Sequence, residues 1–390
     1  MHIPLTKPFL SGKEIRYVSD AINSGDVASD GQFTSRCARL MEERCRSGRI
    51  LMTPSCTSAL EIATLLCELK SGDEVILPSF TFVSTANAIA RLGARPVFVD
   101  IREDTLNIDE RLIESAVTSR TKAILPVHYG GVGCEMGRIM EIAREYQLTV
   151  VEDAAQGFDA FYKGRALGSI GHMGAFSFHH TKNHTCGEGG ALSINSPELV
   201  SRAEVIRDKG TNRGKYLRGE IDRYTWIDLG SSYVPSEISC AFLYAQLEML
   251  DVIRTRRERV FQFYDHLLSD LAADGVLKLP VTPKGCDTNY HVYYIILKDR
   301  TTRDDLMAHL NDHGIGAAMH YVPLHSSPMG AKFGYDTGDL PVTEDMSGRL
   351  LRLPAFPDLN EREQQHIVIQ LSTFFRRSTT FASMSELVLS

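Results

Sequence analysis

The chain has 390 residues, of which 43% are hydrophobic and 23% are charged, values typical of a globular protein of about two domains. Its formal net charge is −7 and it contains no basic run, which argues against a nucleic-acid partner. We expect a cytoplasmic protein without a membrane segment. No apolar run is long enough to cross a bilayer, the N-terminus lacks the pattern of a signal peptide, and the eight cysteines form no CxxC pair.

Short apolar segments alternate with helical patterns through the first half of the chain. The predicted helices are residues 14–23, 35–45, 59–69, 82–92, 110–117 and 136–147. The predicted strands are residues 49–52, 74–77, 96–99, 122–127, 148–151, 173–178 and 191–194. This alternation predicts an α/β fold with a mostly parallel seven-stranded sheet sandwiched by helices, because parallel strands need crossover connections.

The second part of the chain has a different pattern. A long helix, straight or bent, is predicted over residues 236–273. The segments predicted after it are strands at 290–297 and 316–321, helices at 303–313 and 361–375, and a helical turn at 346–351. We therefore expect a large domain of residues 1–250 and a smaller C-terminal α+β domain of residues 251–390.

Polar side chains follow five of the predicted strands: Ser55, Ser79, His128, Asp153 and Lys182. In a parallel sheet, ligands bind at the carboxyl ends of the strands. The pattern therefore predicts a functional site at that edge of the sheet, although each residue alone would also fit an ordinary capping or surface role.

Lys182 lies between the apolar segment 173–178 and the glycine-rich segment 187–190. Most lysines are exposed, so a solvated loop residue is one interpretation. A lysine at a strand end, beside glycines that let other groups approach, can also form a Schiff base with a carbonyl group. Burial would then lower the pKa of the amine and make it a base for proton transfer.

A Schiff-base lysine predicts pyridoxal 5′-phosphate as the cofactor, and that cofactor needs three further groups. Its ring nitrogen needs a carboxylate, for which Asp153 is the candidate. Its phosphate needs a helix N-terminus, which residues 56–58 could provide with their hydroxyl groups. Phe80 or Phe82 could supply an apolar plane for the ring, and Ser177 a hydroxyl near Lys182. A plain capped helix and an exposed carboxylate remain the alternatives for these residues.

At these residues the chain resembles the DegT/DnrJ/EryC1/StrS family of sugar aminotransferases, which have the fold type I of pyridoxal-phosphate enzymes. The motifs that carry the resemblance run in family order over most of the chain. They are Thr57-Ser58-Ala59-Leu60, Pro78-Ser79-Phe80-Thr81-Phe82, Val127-His128-Tyr129-Gly130, Glu152-Asp153-Ala154-Ala155-Gln156, Phe176-Ser177-Phe178-His179 through Lys182, Gly187-Glu188-Gly189-Gly190 and Tyr321-Val322-Pro323-Leu324-His325.

Within that family the chain is most similar to dTDP-4-keto-6-deoxyglucose 4-transaminases. The shared segments are Pro54-Ser55-Cys56-Thr57, Lys163-Gly164-Arg165-Ala166-Leu167-Gly168, Lys209-Gly210-Thr211-Asn212-Arg213 and Gly230-Ser231-Ser232-Tyr233. The resemblance implies transfer of an amino group from glutamate to the C4 ketone of dTDP-4-keto-6-deoxyglucose. A 3-keto sugar or a UDP-sugar remains an alternative substrate.

The resemblance also implies roles for individual residues. Lys182 would bind the cofactor and move the proton, and Asp153 would pair with the ring nitrogen. The other implied cofactor contacts are Gln156 at the ring hydroxyl, Phe82 stacked on the ring, Thr57, Ser58 and Ser177 at the phosphate, and Ser232 lent to the phosphate by a neighbouring subunit. Arg213 and Tyr321 are the candidate contacts to the sugar nucleotide, and a homodimer with shared sites is expected.

The chain departs from the family pattern at two of these positions. Cys56 stands where many members have glycine, so the approach of the backbone to the phosphate is expected to differ slightly. Ser232 stands where many have asparagine, and the shorter side chain reaches less far.

Other functions were weighed against this one. Gly131, Gly133 and Gly137 follow a predicted strand, with Asp153 about 20 residues on, as in nicotinamide-binding proteins, but the glycine spacing is one residue too long. Residues 179–184 contain three histidines, yet a metal site there would require a helix, and none is predicted. Relatives that remove a sugar hydroxyl carry histidine at the lysine position, and a non-catalytic regulator would be expected to lose the lysine or the aspartate.

Overall fold

The computed structural model describes residues 1–388. Its strands are β1 (Arg49–Thr53), β2 (Glu74–Pro78), β3 (Arg95–Val99), β4 (Thr121–Ile124), β5 (Thr149–Asp153), β6 (Phe161–Tyr162), β7 (Arg165–Ala166), β8 (Met173–Ser177), β9 (Gly190–Ile194), β10 (Cys286–Asp287), β11 (Tyr294–Ile296) and β12 (Leu350–Arg352). Its helices are α1 (Glu14–Asn23), α2 (Gln32–Cys45), α3 (Cys56–Leu66), α4 (Val83–Ala90), α5 (Glu110–Ile113), α6 (Met136–Glu145), α7 (Val200–Arg207), α8 (Arg213–Leu217), α9 (Glu237–Leu247), α10 (Leu250–Ala273), α11 (Arg300–Asp312), α12 (Pro328–Lys332), α13 (Pro341–Arg349) and α14 (Glu361–Val388).

Seven strands form the central sheet, in the order β1-β9-β8-β5-β4-β2-β3. Strand β9 is antiparallel to both of its neighbours, whereas the pairs from β8 to β3 are parallel. All seven strands coincide with predicted ones, and the predicted mostly parallel α/β sheet is confirmed. Strand β4 ends at Ile124 rather than at residue 127. Pro126, which has no N–H group to offer the sheet, lies in the part that was over-predicted.

Helices cover both faces of this sheet because the strand side chains alternate between the faces. In β1, Leu51 packs in the buried cluster that contains α3 and α4. Its neighbours Ile50 and Met52 pack on the opposite face, with buried residues of α2 and α9. The helices cover the two faces of the sheet and leave the carboxyl ends of the parallel strands uncovered.

The C-terminal part differs from the prediction in four elements. The helical turn predicted over 346–351 is the end of α13 followed by the start of β12. The long helix is two helices, α9 and α10, separated at Glu248 and Met249. The strand predicted over 290–297 is only β11. The segment predicted as a strand over 316–321 is not one, because its backbone groups bond to separate partners: Gly316 N–H to Ile3 O, and Ala318 N–H to Arg352 O.

A separate buried cluster unites α10, α11, α14, β11 and the loop after β12, and it also takes in Ile3 from the N-terminus. The division into domains of residues 1–250 and 251–390 stays a prediction. No helix within residues 1–388 is long and apolar enough to span a membrane.

Candidate active site

A cavity of about 590 Å³ lies at the carboxyl ends of β1, β2, β5 and β8. Residues of the C-terminal part, at 291–293, 320–321 and 352–355, form its opposite wall. Seven of the predicted site residues line this cavity. They are Thr57, Phe82, Asp153, Gln156, Ser177, Lys182 and Tyr321. Of the five strand-end residues expected to converge, Ser55, Asp153 and Lys182 line the cavity, whereas Ser79 and His128 are buried beside it and bond to His325 and Glu152.

Lys182 lies in the turn that follows β8, and its backbone N–H donates to His179 O over 2.9 Å. Among residues 1–376, whose side chains the structure describes, its Nζ atom has no hydrogen-bond or ion-pair partner. Removal from water lowers the pKa of Lys182, although the nearby Cys56 and Asp153 oppose the shift. The amine thus faces the cavity with its reactivity enhanced and no partner to hold it elsewhere.

Asp153 is the last residue of β5 and is 4% exposed. Its Oδ1 accepts a hydrogen bond from Ala155 N–H over 3.1 Å, and its Oδ2 accepts one from the Thr85 hydroxyl over 2.7 Å. Each oxygen has one protein donor and a further lone pair. The carboxylate is therefore oriented by the protein and still able to accept a hydrogen bond from a ligand.

The preceding residue, Glu152, points away from the cavity and has a structural role. Its two oxygens accept hydrogen bonds from three backbone N–H groups in the loop 168–171, at 2.6 to 2.9 Å. His128 Nδ1 accepts from Cys134 N–H, so Nε2 carries the proton and donates to Glu152 over 2.8 Å. These bonds fix the end of β5 and, with it, the position of the next residue, Asp153.

The N-terminus of α3 also faces the cavity. Ser55 caps this helix, because its hydroxyl accepts from Ser58 N–H over 3.1 Å, and Thr57 Oγ1 is hydrogen-bonded to Ser84 Oγ over 2.7 Å. The helix can start here because Gly190 of β9 lies under it, where any Cβ atom would collide with the backbone of Ser55. Free first-turn N–H groups beside hydroxyl groups make a phosphate-binding arrangement.

Gln156 and Tyr321 meet across the cavity. Gln156 Oε1 accepts from Gly130 N–H, and its Nε2 donates to Tyr321 Oη, both over 2.7 Å. The Tyr321 ring stacks on His320 at 3.9 Å between ring centroids. Burial raises the pKa of Tyr321, so its hydroxyl stays protonated and remains a donor.

Three predicted site residues do not line this cavity. Ser58 is in the first turn of α3, where its hydroxyl pairs with Ser55 Oγ over 3.0 Å. Arg213 lines a separate cavity of about 520 Å³ and forms an ion pair with Asp208 over 3.4 Å. Ser232 is exposed and its backbone pairs with Asp208. A single chain therefore keeps Arg213 and Ser232 apart from Lys182.

Several residues that line the cavity were missed by sequence reasoning, among them Thr85, His291, His320 and Arg352. Burial lowers the pKa of both histidines well below the usual range, so both are neutral. Arg352 donates from Nε and Nη2 to Met319 O and pairs with no carboxylate among the side chains of residues 1–376. Its position between the apolar Leu351 and Leu353 was the one signal that could have found it.

The histidine segment 179–184 consists of turns and not of a helix. His179 Nδ1 is hydrogen-bonded to the Thr181 hydroxyl, and His184 packs edge-on against Phe158. In the part of the chain that the structure describes, no cluster of three or more histidine, cysteine or acidic side chains could hold a metal ion.

These groups fit pyridoxal 5′-phosphate. Lys182 offers an unpartnered amine, Asp153 an oriented buried carboxylate, and the N-terminus of α3 an anion site, all on one cavity. Together with the sheet order, they define a pyridoxal-phosphate-dependent aminotransferase of fold type I.

A model of the DegT/DnrJ/EryC1/StrS aminotransferase family matches residues 8–372, so the chain belongs to this family. It is a pyridoxal-phosphate-dependent sugar aminotransferase. Membership overturns the nicotinamide-binding alternative, and Gly131 belongs to a tight turn after β4 and not to a strand-to-helix phosphate loop.

The chain is also similar to individual proteins over most of its length. The chain is 38% identical to a pleiotropic regulatory protein of Geobacillus stearothermophilus, over 82% of this chain and 83% of that one. It is 29% identical to the aminotransferase TlmJ of Streptoalloteichus hindustanus, with a TM-score of 0.89 over 97% of this chain and 100% of TlmJ. It is 31% identical to DesV of S. venezuelae, with a TM-score of 0.86 over 95% of this chain and 97% of DesV.

Proposed function

We propose that this protein transfers an amino group from glutamate to the C4 ketone of dTDP-4-keto-6-deoxyglucose, giving a dTDP-4-amino-4,6-dideoxyhexose. The observation that carries the chemistry is the unpartnered Lys182 amine on a cavity that also presents the buried Asp153 carboxylate. The choice of sugar nucleotide is supported by the segments shared with the 4-transaminases, above all residues 209–213 and 230–233.

Four residues of the cavity then have tasks at the ring of the cofactor. The cofactor, when bound, supplies an electron sink for breaking the bond between a proton and the amine-bearing carbon. Lys182 would bind it covalently and, with its lowered pKa, would accept and return that proton at Nζ. Asp153 would accept a hydrogen bond from the ring nitrogen, and Gln156 would contact the side of the ring that bears the hydroxyl group. Phe82, 58% exposed at the cavity, would cover the ring face.

The phosphate is held at the start of α3. We assign to it the hydroxyl groups of Thr57, Ser58 and Ser177 with the free N–H groups of the first turn. Ser58 contributes its hydroxyl only if it exchanges its present bond to Ser55, which is 3.0 Å long.

Arg352 supports glutamate as the donor. It is a cation on the cavity wall without a carboxylate partner among the side chains of residues 1–376, and burial lowers its pKa. The carboxylate of an amino-acid donor such as glutamate would supply an anion for the guanidinium group. Tyr321, beside it in the cavity, is assigned to the sugar.

We propose a homodimer, because a partner subunit would give a role to Arg213 and Ser232, which lie outside the cavity of their own chain. Ser232 and Arg213 would reach the phosphate and the sugar nucleotide of the partner subunit. The segment between them exposes several large apolar or aromatic side chains among its charged residues, and such side chains are common at interfaces. Its large exposed side chains are Tyr216, Leu217, Tyr224, Trp226, Ile227 and Leu229.

A two-stage absorbance experiment tests the proposal. The purified, cofactor-loaded protein should lose its visible absorbance band with glutamate and recover it with dTDP-4-keto-6-deoxyglucose. A Lys182→Ala protein should do neither. Recovery only with a 3-keto sugar or a UDP-sugar would replace the proposed substrate, and a full response from the Lys182→Ala protein would overturn the proposed mechanism.

A further inference from the structure

We propose that Thr85 is a positioning residue for Asp153, and that Thr81 holds Thr85 in place through a second hydroxyl bond. The inference rests on the role proposed above for Asp153. Neither threonine touches the reacting atoms in this account. Both act by fixing the carboxylate that receives the ring nitrogen.

The direction of the two bonds follows from counting donors. Thr85 Oγ1 lies 2.7 Å from Asp153 Oδ2, and an ionised carboxylate only accepts, so the single hydroxyl proton of Thr85 must go to Asp153. Thr81 Oγ1 lies 2.9 Å from Thr85 Oγ1 and must therefore donate to it. The result is a chain of two hydrogen bonds in which Thr81 donates to Thr85 and Thr85 donates to Asp153. We call this chain the relay.

The two threonines are buried where they border the cavity. Thr85 is 0% exposed and Thr81 2% exposed, so both hydroxyl groups are held mainly by their protein partners. Thr85 lies in the first turn of α4, where a β-branched side chain has few rotamers. Its hydrogen bond to Asp153 fixes which of these rotamers the hydroxyl group adopts.

The start of the relay is anchored to the C-terminal part of the chain. His325 N–H donates to Ser79 Oγ over 3.0 Å, and the Ser79 hydroxyl donates to His325 Nδ1 over 2.7 Å. His325 Nε2 consequently carries a proton, which it donates to Glu344 Oε1 over 2.8 Å. These bonds fix the loop 79–82 and so hold Thr81 at its distance from Thr85.

The relay has a chemical consequence. Two donors on different oxygens fix the plane of a carboxylate. Asp153 receives one hydrogen bond from Thr85 on Oδ2 and one from Ala155 N–H on Oδ1. Its carboxylate is thereby oriented at the cavity before any ligand arrives, which reduces the reorganisation needed on binding.

The test uses Thr85→Val, which replaces the hydroxyl by a methyl group of similar size, and Thr85→Ser, which keeps the hydroxyl. The matched control is Thr64→Val, since Thr64 is also 0% exposed and its hydroxyl bonds only to the carbonyl of Glu61 in its own helix. We expect Thr85→Val to weaken binding of pyridoxal 5′-phosphate to the cofactor-free protein about tenfold in equilibrium dialysis. Thr85→Ser and Thr64→Val should stay within about twofold of the parent protein.

A second readout is the absorbance spectrum of the bound cofactor as a function of pH. The midpoint is the pH at which the change in its visible band is half complete. A ring nitrogen that is less firmly protonated withdraws fewer electrons from the carbon joined to Lys182, so the Lys182 nitrogen keeps its proton to higher pH. Thr85→Val should therefore raise the midpoint. Thr81→Val should raise it less, and it tests the same relay if Thr85→Val does not fold.

Asp153→Asn separates this inference from the function on which it rests. If Asp153→Asn weakens binding and shifts the midpoint while the Thr85→Val and Thr81→Val proteins behave like the parent, the relay is wrong and the role of Asp153 stands. If Asp153→Asn also behaves like the parent, the proposed role of Asp153 is itself wrong.

Discussion

Gln156 Nε2 donates a hydrogen bond of 2.7 Å to Tyr321 Oη. The two residues lie on opposite walls of the cavity, Gln156 just after β5 and Tyr321 in the C-terminal part. Because Gln156 Oε1 already accepts from Gly130 N–H, the amide has only one orientation that satisfies both bonds. A residue assigned to the cofactor and one assigned to the substrate therefore act as a single unit.

We expect this unit to be visible as coupling between mutations. The variants are Gln156→Ala, Tyr321→Phe and their combination, measured by kcat/KM for the keto sugar. The coupling free energy should be about 1 kcal/mol, as for other residues that share a hydrogen bond. In the control cycle Tyr290→Phe replaces Tyr321→Phe, because the Tyr290 hydroxyl bonds to Glu258 instead. Its effect should add to that of Gln156→Ala, and equal coupling in both cycles would contradict the prediction.

Lys182 should destabilise the cofactor-free protein in a pH-dependent way. Burial lowers its pKa in the folded state below the usual value of 10.5. Between the two pKa values the unfolded chain binds more protons, so the free energy of unfolding rises as the pH increases through that interval. Lys182→Met should therefore be more stable than the parent at pH values below the lowered pKa, and its advantage should shrink above 10.5.

Urea unfolding of the cofactor-free proteins at neutral and alkaline pH measures this difference. Lys122→Met, at an exposed position of β4, is the control and should show no such trend. A Lys182→Met protein with the same free energy of unfolding as the parent at every pH would rule out the burial effect.

Gly190→Ala should damage the phosphate site through the backbone. The added Cβ would collide with the backbone of Ser55 and Cys56, so the N-terminus of α3 has to move away from the cavity. We expect a loss of about 1–3 kcal/mol in the free energy of unfolding, together with weaker cofactor binding. Gly348→Ala, where the nearest atom is 3.8 Å away, should be neutral or slightly stabilising. Normal cofactor affinity in Gly190→Ala would show that this close approach is unimportant.

Arg352→Gln should affect one half of the reaction more than the other. If Arg352 pairs with the donor carboxylate, its loss should raise the glutamate concentration needed for half-maximal bleaching by about tenfold or more. The reaction of the aminated protein with the keto sugar should change much less. Arg349→Gln is the control, because Arg349 also donates to a backbone carbonyl, that of Leu297, but does not line the cavity. Equal losses in both half-reactions would exclude a donor-specific role.

Trp226, the only tryptophan in the sequence, reports on the proposed dimer. Its side chain is 73% exposed in a single chain, so its fluorescence should resemble that of the unfolded protein unless a partner covers it. We expect blue-shifted emission and a dimer by sedimentation for the parent protein, and red-shifted emission with a monomer for Leu229→Glu. Ile369→Glu, at another exposed apolar residue, should change neither. A dimer with solvent-like emission would place the interface elsewhere.

Local patterns were sufficient for much of the site. Asp153 and Lys182 were found because each follows a buried apolar run, and the run itself predicts where a strand ends. The strand predicted over 316–321 was wrong because that prediction also relied on local composition. Gly316 and Ala318 bond to different parts of the chain, so the segment forms no continuous ladder of hydrogen bonds. Thr85 gave no local signal at all, because its significance depends on a residue 68 positions away.

The sequence by itself determined the alternation of strands and helices, the edge of the sheet where ligands bind, and the motifs that mark the family. Those properties depend on hydrophobic period and residue order, which are local. Only the tertiary structure decided which groups share the cavity. It brought in Arg352 and the two neutral histidines, partly buried Lys182, and left Arg213 and Ser232 outside the cavity within one chain. Burial and hydrogen-bond partners arise from packing between distant segments, and no local pattern encodes them.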